Sequence, residues 1–320
     1  MRRLLTAAAA LCLAGTAGAA RYAGGDPFEF LFLDAGALPA SLGGAFAAVG
    51  DNADSLAYNP AGLGFMDGSH ASFLHNAHFQ GVSRQRLAFA HDSGWALGAD
   101  RLSYGDVRRT TLSNPTGAGL DDFTPSAAAF SAGFGTCFLD EGLALGIAAK
   151  HIRETLDSVR TAAWAADAGM QLRFEDPTLL LGMSVRNMGP KVKTIAKPEP
   201  LPLDVALGAA TRLRALGFPL GLLLDVDKVP QGRVTAHFGM DFEAMPGVAL
   251  RLGYNARNDA GLGLTAGFGL AMKAFTMDYA IVPYGALGYS HLISLGVRWG
   301  KEPEKAARQM YRPVYPAYPE

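Results

Sequence analysis

Asp225-x-Asp227 is the nearest approach this chain makes to a cation loop, but no third ligand or glycine follows at the spacing a calcium loop needs. His70, His75, His78 and His91 crowd one stretch, and imidazoles at that density could hold a transition metal. His75 and His91, however, share the parity of Phe73 and Phe89, so this group reads as rim positions on an apolar surface rather than as ligands. Cys137 is the sole cysteine beyond the first nineteen residues, which leaves no internal disulfide and no multi-cysteine metal site. There is no Gly-x-Ser-x-Gly elbow, no His-Glu-x-x-His and no phosphate-binding glycine loop. The expectation is a non-enzymatic protein with no cofactor and no metal.

What remains is a set of charges that recur at one parity: Arg84, Arg86, Asp167, Arg173, Arg186, Arg212, Arg214, Asp225, Asp227, Asp241, Glu243, Arg251, Asp278 and Arg298. Mixed signs at similar depth in a confined interior should pair, because a lone charge there is expensive. Asp167, Arg173, Arg186, Arg212, Asp241, Glu243, Arg251 and Arg298 are the candidate lumen charges.

The elements carrying those charges alternate strictly. In Val248–Asn255 one face holds Val248, Leu250, Leu252 and Tyr254, and the other holds Ala249, Arg251, Gly253 and Asn255. Val234–Glu243, Leu262–Met272 and Ala162–Phe174 repeat the pattern. Period 2 makes a sheet with two unlike faces. Stretches of about ten residues suit tilted strands that cross a bilayer. About fourteen such strands fit between residues 70 and 299. Tight turns (Asp92–Trp95, Leu139–Gly142, Asp176–Thr178, Met245–Gly247) alternate with longer ones (Thr110–Phe123, Thr155–Thr161, Gly189–Leu203, Val229–Arg233). Such sorting belongs to a transmembrane antiparallel β-barrel, with both termini and the short turns on the periplasmic side.

The ends agree with export. Arg2, Arg3, the apolar Leu4–Gly15 and Ala17-Gly18-Ala19 read as a signal peptide over 1–19 that places the chain in the bacterial outer membrane. Residues 20–69 form an arm and hatch, 70–300 the barrel, and 301–320 a Tyr/Pro-rich periplasmic tail. A net charge of -1 argues against a nucleic-acid partner, and 49% hydrophobic residues suit an outer wall facing membrane lipid.

Residues Leu33 to Met66 do not alternate. Small residues dominate around Gly43 and Gly44, which suits backbone packed against other chain. Asp51 and Asp54 are expected to cap short helical turns. Asn59-Pro60 starts a turn with Pro60 at its first position, and Gly62 ends it. The expected result is a small-residue plug in the barrel lumen. Leu42–Phe46, Asp51–Asp54 and Asn59–Leu63, together with the closing stretch Asp278–Gly288, resemble the PorV/PorQ family of FadL-like outer-membrane barrels. That resemblance implies a fourteen-stranded barrel with an N-terminal hatch, in which Gly43, Gly44, Asp51, Asp54, Asn59, Pro60 and Gly62 form the hatch motif.

Two functions are then open. The resemblance implies a scaffold for type IX-like protein secretion or surface attachment, whose partners are secreted cargo proteins or secretion machinery. Lys191, Lys193 and Lys197 in the Gly189–Leu203 loop would be the contact surface. The alternative is a FadL-like transporter of hydrophobic small molecules, which needs an apolar cavity that the charged inward parity does not obviously supply. The sequence reading favours the scaffold.

Overall fold

The computed structural model describes residues 27–300 apart from 139–141, 175–177, 195–196, 216–217 and 231. The expected signal peptide, the tail, and parts of the Leu139–Gly142 and Asp176–Thr178 turns lie outside these residues.

Fourteen antiparallel strands close into one barrel. They are β1 (Ser69–Ala77), β2 (Ser83–Ala90), β3 (Trp95–Ser103), β4 (Ser126–Phe138), β5 (Leu143–Leu156), β6 (Val159–Phe174) and β7 (Leu179–Met188), then β10 (Asp204–Ala215), β11 (Phe218–Lys228), β12 (Val234–Met245), β13 (Val248–Asn255), β14 (Leu264–Met272), β15 (Phe275–Pro283) and β16 (Tyr289–Trp299). The short β8 (Val192–Lys193) and β9 (Pro198–Glu199) pair with each other within the β7–β10 loop. Each barrel strand pairs with its neighbours in sequence, and Ser69 to Ala77 of β1 run against Trp299 to His291 of β16 to close the ring. Closure leaves no unpaired edge, as a sheet in lipid requires.

Alternation decides which way each side chain points. In β13, Ala249, Arg251 and Gly253 turn inward, while Leu250 and Leu252 are more than half exposed on the outside. Leu87, Ile147, Trp164, Leu207 and Leu295 make the same outer apolar surface. Aromatic rings mark its tight-turn end, where Phe89 packs on Trp95 and Trp299 with ring centres 5.1 and 5.7 Å apart. Such girdles sit at membrane interfaces. No helix among the described residues is long and apolar enough to cross a membrane.

Two loops depart from expectation. β3 ends at Ser103, so the long loop starts six residues earlier than its sequence pattern indicates. The β5–β6 connection is tight, because Asp157 takes a left-handed φ of 52° and allows Leu156 to pair directly with Val159.

The N-terminal segment fills the lumen. It comprises a 3-10 turn at Glu29–Phe32, short helices at Ala37–Ser41 and Ser55–Tyr58, and a second 3-10 turn at Pro60–Phe65. Ala37, Ala40, Ala45, Phe46, Leu56 and Leu63 are almost wholly buried. None of these pieces is long enough to be stable alone, so their conformation depends on the surrounding wall. The wall accommodates them with inward glycines. A Cβ at Gly146 would fall on the Pro60 carbonyl, one at Gly182 on Ala47, one at Gly253 on the Gly43 amide, and one at Gly169 on the Asn59 side chain.

Gly146→Val should therefore expel or displace the Pro60 turn, with an overpacking cost of about 1–3 kcal/mol. Urea unfolding followed by tryptophan fluorescence should show a lower midpoint for Gly146→Val, while Ala162→Val on the outer face of β6 leaves it unchanged. Equal midpoints would show that the inward glycine does not hold the hatch.

Candidate functional site

The contact between hatch and wall is a continuous seam of hydrogen bonds. Asn59 is fully buried at its centre. Its Oδ1 accepts from the Ala61 amide at 3.1 Å and caps the Pro60–Phe65 turn. Its Nδ2 donates to the carbonyls of Ala47 (2.7 Å), Met170 (3.1 Å) and Met183 (3.3 Å), tying two parts of the hatch to β6 and β7. Gln171 on β6 donates to the carbonyls of Ala47 and Val49. Asp225 on β11 accepts from the Phe46 and Ala47 amides, both at 2.7 Å. A carboxylate receiving two backbone N–H groups is a strong, directional anchor. The Ala37 amide donates to Ser294 Oγ on β16.

The acidic stretch of the hatch acts differently from expectation. Neither the Ser55–Tyr58 helix nor the Pro60 turn receives a side-chain cap from Asp51 or Asp54. The chain around Asp54 is already helical, which points its carboxylate at the wall, where it accepts from Ser72 Oγ at 3.3 Å. Asp51 meets Arg298, which also donates to the Asp51 and Asp67 carbonyls. Gly62 lies inside the 3-10 turn, which runs on to Phe65; a Cβ there would strike the Gly50 carbonyl. Gly43 and Gly44 both have positive φ (68° and 84°), bending the chain after the Ala37–Ser41 helix. The Gly43 carbonyl accepts from His237 Nδ1 at 2.7 Å.

The charges of the inward parity form chains of pairs. Asp100 on β3 bridges Arg84 and Arg86 of β2, each at 2.5 Å. Arg84 also donates to the Leu33 and Asp34 carbonyls. Asp167 takes Lys150 at 2.7 Å and the Asn187 amide at 2.8 Å. Arg186 pairs with Asp204, which also meets Arg257; Arg257 reaches Asp227, and Asp227 faces His237. Arg251 spans Asp241 and Asp278, and Arg212 meets Glu243. Arg173 donates to the Gly50 carbonyl and lies 3.6 Å from the centre of the Phe65 ring. Arg214 departs from the parity reading: it is exposed near the β10–β11 turn, where the strand runs out of the lumen.

Parity marked most of these groups, including Asp225, but gave no sign that Asp225 would grip the hatch backbone. Lys150, Asp100 and Asp204 also lie on the inward faces of their strands and were legible by the same rule. Arg257 sits in the β13–β14 loop, where no period applies. The histidines go separate ways. His70 lies at the tight-turn end but faces inward, buried, accepting from the Ala53 amide at Nδ1 because β1 turns it toward the hatch. His75 stands on the outer face and His78 meets Ser290.

Between the first turn of the hatch and the wall, on the side of the longer loops, lies a cavity of about 50 Å³. Asp34, Tyr58, Arg84, Lys150, Arg186 and Arg257 supply its polar lining, and Leu31, Phe32, Leu33 and Ala57 its apolar part. Tyr58 Oη donates to Asp34 and accepts the Ala35 amide. Burial raises the Asp34 carboxyl above its ordinary range, against the opposing effect of that hydrogen bond. The site thus combines paired charges, a lumen filled by the hatch and a small chamber beside it.

The class defined by this geometry is a closed fourteen-stranded outer-membrane-type barrel with a luminal hatch. Residues 3–201 match the model of UPF0164, an uncharacterised protein family, and the chain belongs to that family. No curated protein matches it. Among solved structures it is similar to the toluene transporter TodX of Pseudomonas putida, with 13% identity and a TM-score of 0.54 over 82% of this chain and 96% of that one. It is also similar to the monoaromatic hydrocarbon channel CymD, with 12% identity and a TM-score of 0.55 over 83% of this chain and 98% of the other. At that identity the likeness is one of fold.

Burial lifts the Asp54 carboxyl from the ordinary aspartate value of 3.8 to about 6, with nearby Asp278 and Asp100 adding to the rise and Arg86 opposing it. A raised folded-state value means that the folded hatch binds more protons than the unfolded chain between these limits, so its stability falls as pH rises from about 4 to 6. The span corresponds to roughly 3 kcal/mol. Thermal melts across that range should show wild type losing this increment relative to Asp54→Asn, and parallel pH profiles would contradict it.

Proposed function

We propose that this chain is a non-enzymatic outer-membrane channel of FadL-like type, passing hydrophobic small molecules past its N-terminal hatch. The observation that carries the reading is the hatch itself: a separate, hydrogen-bonded stopper in a closed lumen, with a small chamber above it. The fold it shares with TodX and CymD supports the same reading. The lining charges are paired with one another, so a passing apolar solute meets few bare ions. In this account residues 1–19 are the export signal, residues 20–69 the arm and hatch, and residues 70–300 the barrel. The tight turns and the 301–320 tail face the periplasm.

Proteoliposomes carrying the barrel should take up toluene faster than protein-free vesicles. Asp225→Ala, which removes the acceptor of two hatch amides, should raise uptake further. Deletion of residues 33–66 should do the same where the barrel still assembles. Uptake at the protein-free rate by both wild type and Asp225→Ala, with intact barrels, would contradict the proposal.

A scaffold role of PorV/PorQ type, binding secreted cargo or secretion machinery, draws support from one feature. Lys191, Lys193 and Lys197 stand exposed in and beside the paired β8 and β9 of the long β7–β10 loop. On that reading, replacing the three lysines by glutamate should abolish co-purification of secreted proteins while leaving barrel assembly intact. Unchanged co-purification would remove the loop as a contact surface.

A further inference from the structure

The outer wall is rough with large apolar side chains, but it dips at one place. On β3 and β4 the outward residues Ala99 and Ala128 form the floor of a groove of about 420 Å³. Phe73 and Leu87 rise on one side and Phe130 on the other. The strand register explains the shape. Across one row run Phe73, Leu87, Ala99 and Phe130; across the next, nearer the long loops, run His75, Gln85, Arg101, Ala128 and Arg153. An alanine therefore replaces a bulky neighbour once in each row, at adjacent strands, and the two gaps join.

The second row also carries two cations. Arg101 and Arg153 flank Ala128 from β3 and β5, two strand spacings or about 10 Å apart. Both are exposed on the membrane-facing side, close to the loop ends of their strands. Neither makes a hydrogen bond or ion pair among the described residues. The nearby acid, Glu154, has the opposite parity and serves the Phe28 amide and the Tyr104 hydroxyl inside. Two outward arginines without an acid, above an apolar trough in a lipid-facing wall, match an amphiphile with an anionic head. A guanidinium suits phosphate because its fork donates two parallel hydrogen bonds.

We propose that this groove binds a phosphate-bearing anionic membrane lipid, with its phosphate between Arg101 and Arg153 and an acyl chain along Ala99 and Ala128. The site lies outside the barrel and is independent of the channel reading. Long-loop placement assigns it to the outer leaflet. Gln85 offers a further donor beside Arg101.

Native mass spectrometry of the full chain, with phosphatidylglycerol and phosphatidylcholine of identical chains supplied in equal amounts, tests the site. Wild type should retain phosphatidylglycerol in preference. Arg101→Gln combined with Arg153→Gln should lower that preference about tenfold or more, the scale expected for two cations at a membrane surface. Ala99→Phe with Ala128→Leu, which fills the trough and keeps both arginines, should also lose the bound lipid. Inorganic phosphate at the same concentration should not displace it. Equal retention of the two lipids, undiminished preference in either variant, or displacement by inorganic phosphate would overturn the proposal.

Discussion

The structure depends on the close approach of two backbones. A barrel of fourteen strands has room inside for more than its own side chains, and here that room is taken by a segment with almost no regular structure. Irregular backbone is tolerated at membrane depth only where protein or water satisfies its polar groups. This hatch obtains both packing and hydrogen bonds from the wall. Inward glycines let it come within contact distance, and Asn59, Gln171, Asp225 and Ser294 then meet its carbonyls and amides.

The same closeness explains the charges. With the hatch in place, little space is left for water around the inward arginines and aspartates, so each must find its partner in the protein. Asp100 between two arginines, and the run from Arg186 through Asp204, Arg257 and Asp227 to His237, are two solutions to that constraint. The networks fasten strand to strand, while Arg84, Arg173 and Arg298 extend them onto hatch carbonyls. The fastening of the strands and the seating of the hatch therefore come from one set of contacts.

The barrel was legible in the sequence because its determinant is local. Period 2 sets the face of each residue without reference to anything distant, so fourteen strands and the charged interior follow, and the hatch stands out as the stretch that does not alternate. The hatch contacts were not legible in the same way. Asp51 and Asp54 have the residue type of caps, but the one side-chain cap falls to Asn59, while Asn52 accepts from the Asp54 amide just ahead of the Ser55–Tyr58 helix and tertiary contacts with Ser72 and Arg298 engage the aspartates. Nothing local distinguishes Asp225, which holds Phe46 and Ala47 from 179 and 178 residues away, from a lumen charge that merely pairs. Inward glycines are visible as glycines on an apolar–polar alternation; what they make room for is visible only in three dimensions. The PorV/PorQ resemblance pointed to the hatch and the strand count together, while the comparisons place the chain in UPF0164 and its fold beside the hydrocarbon channels.

The most direct measurement is hydrogen–deuterium exchange on the full chain in lipid nanodiscs, read over peptides covering residues 45–63. If the hatch is seated as described, its amides, with those of Phe46 and Ala47 held by Asp225, will exchange as slowly as those of the barrel strands β6 and β11. Exchange as fast as that of the exposed loop between β3 and β4 would contradict the account, because it would mean that the lumen is not closed by a fixed hatch.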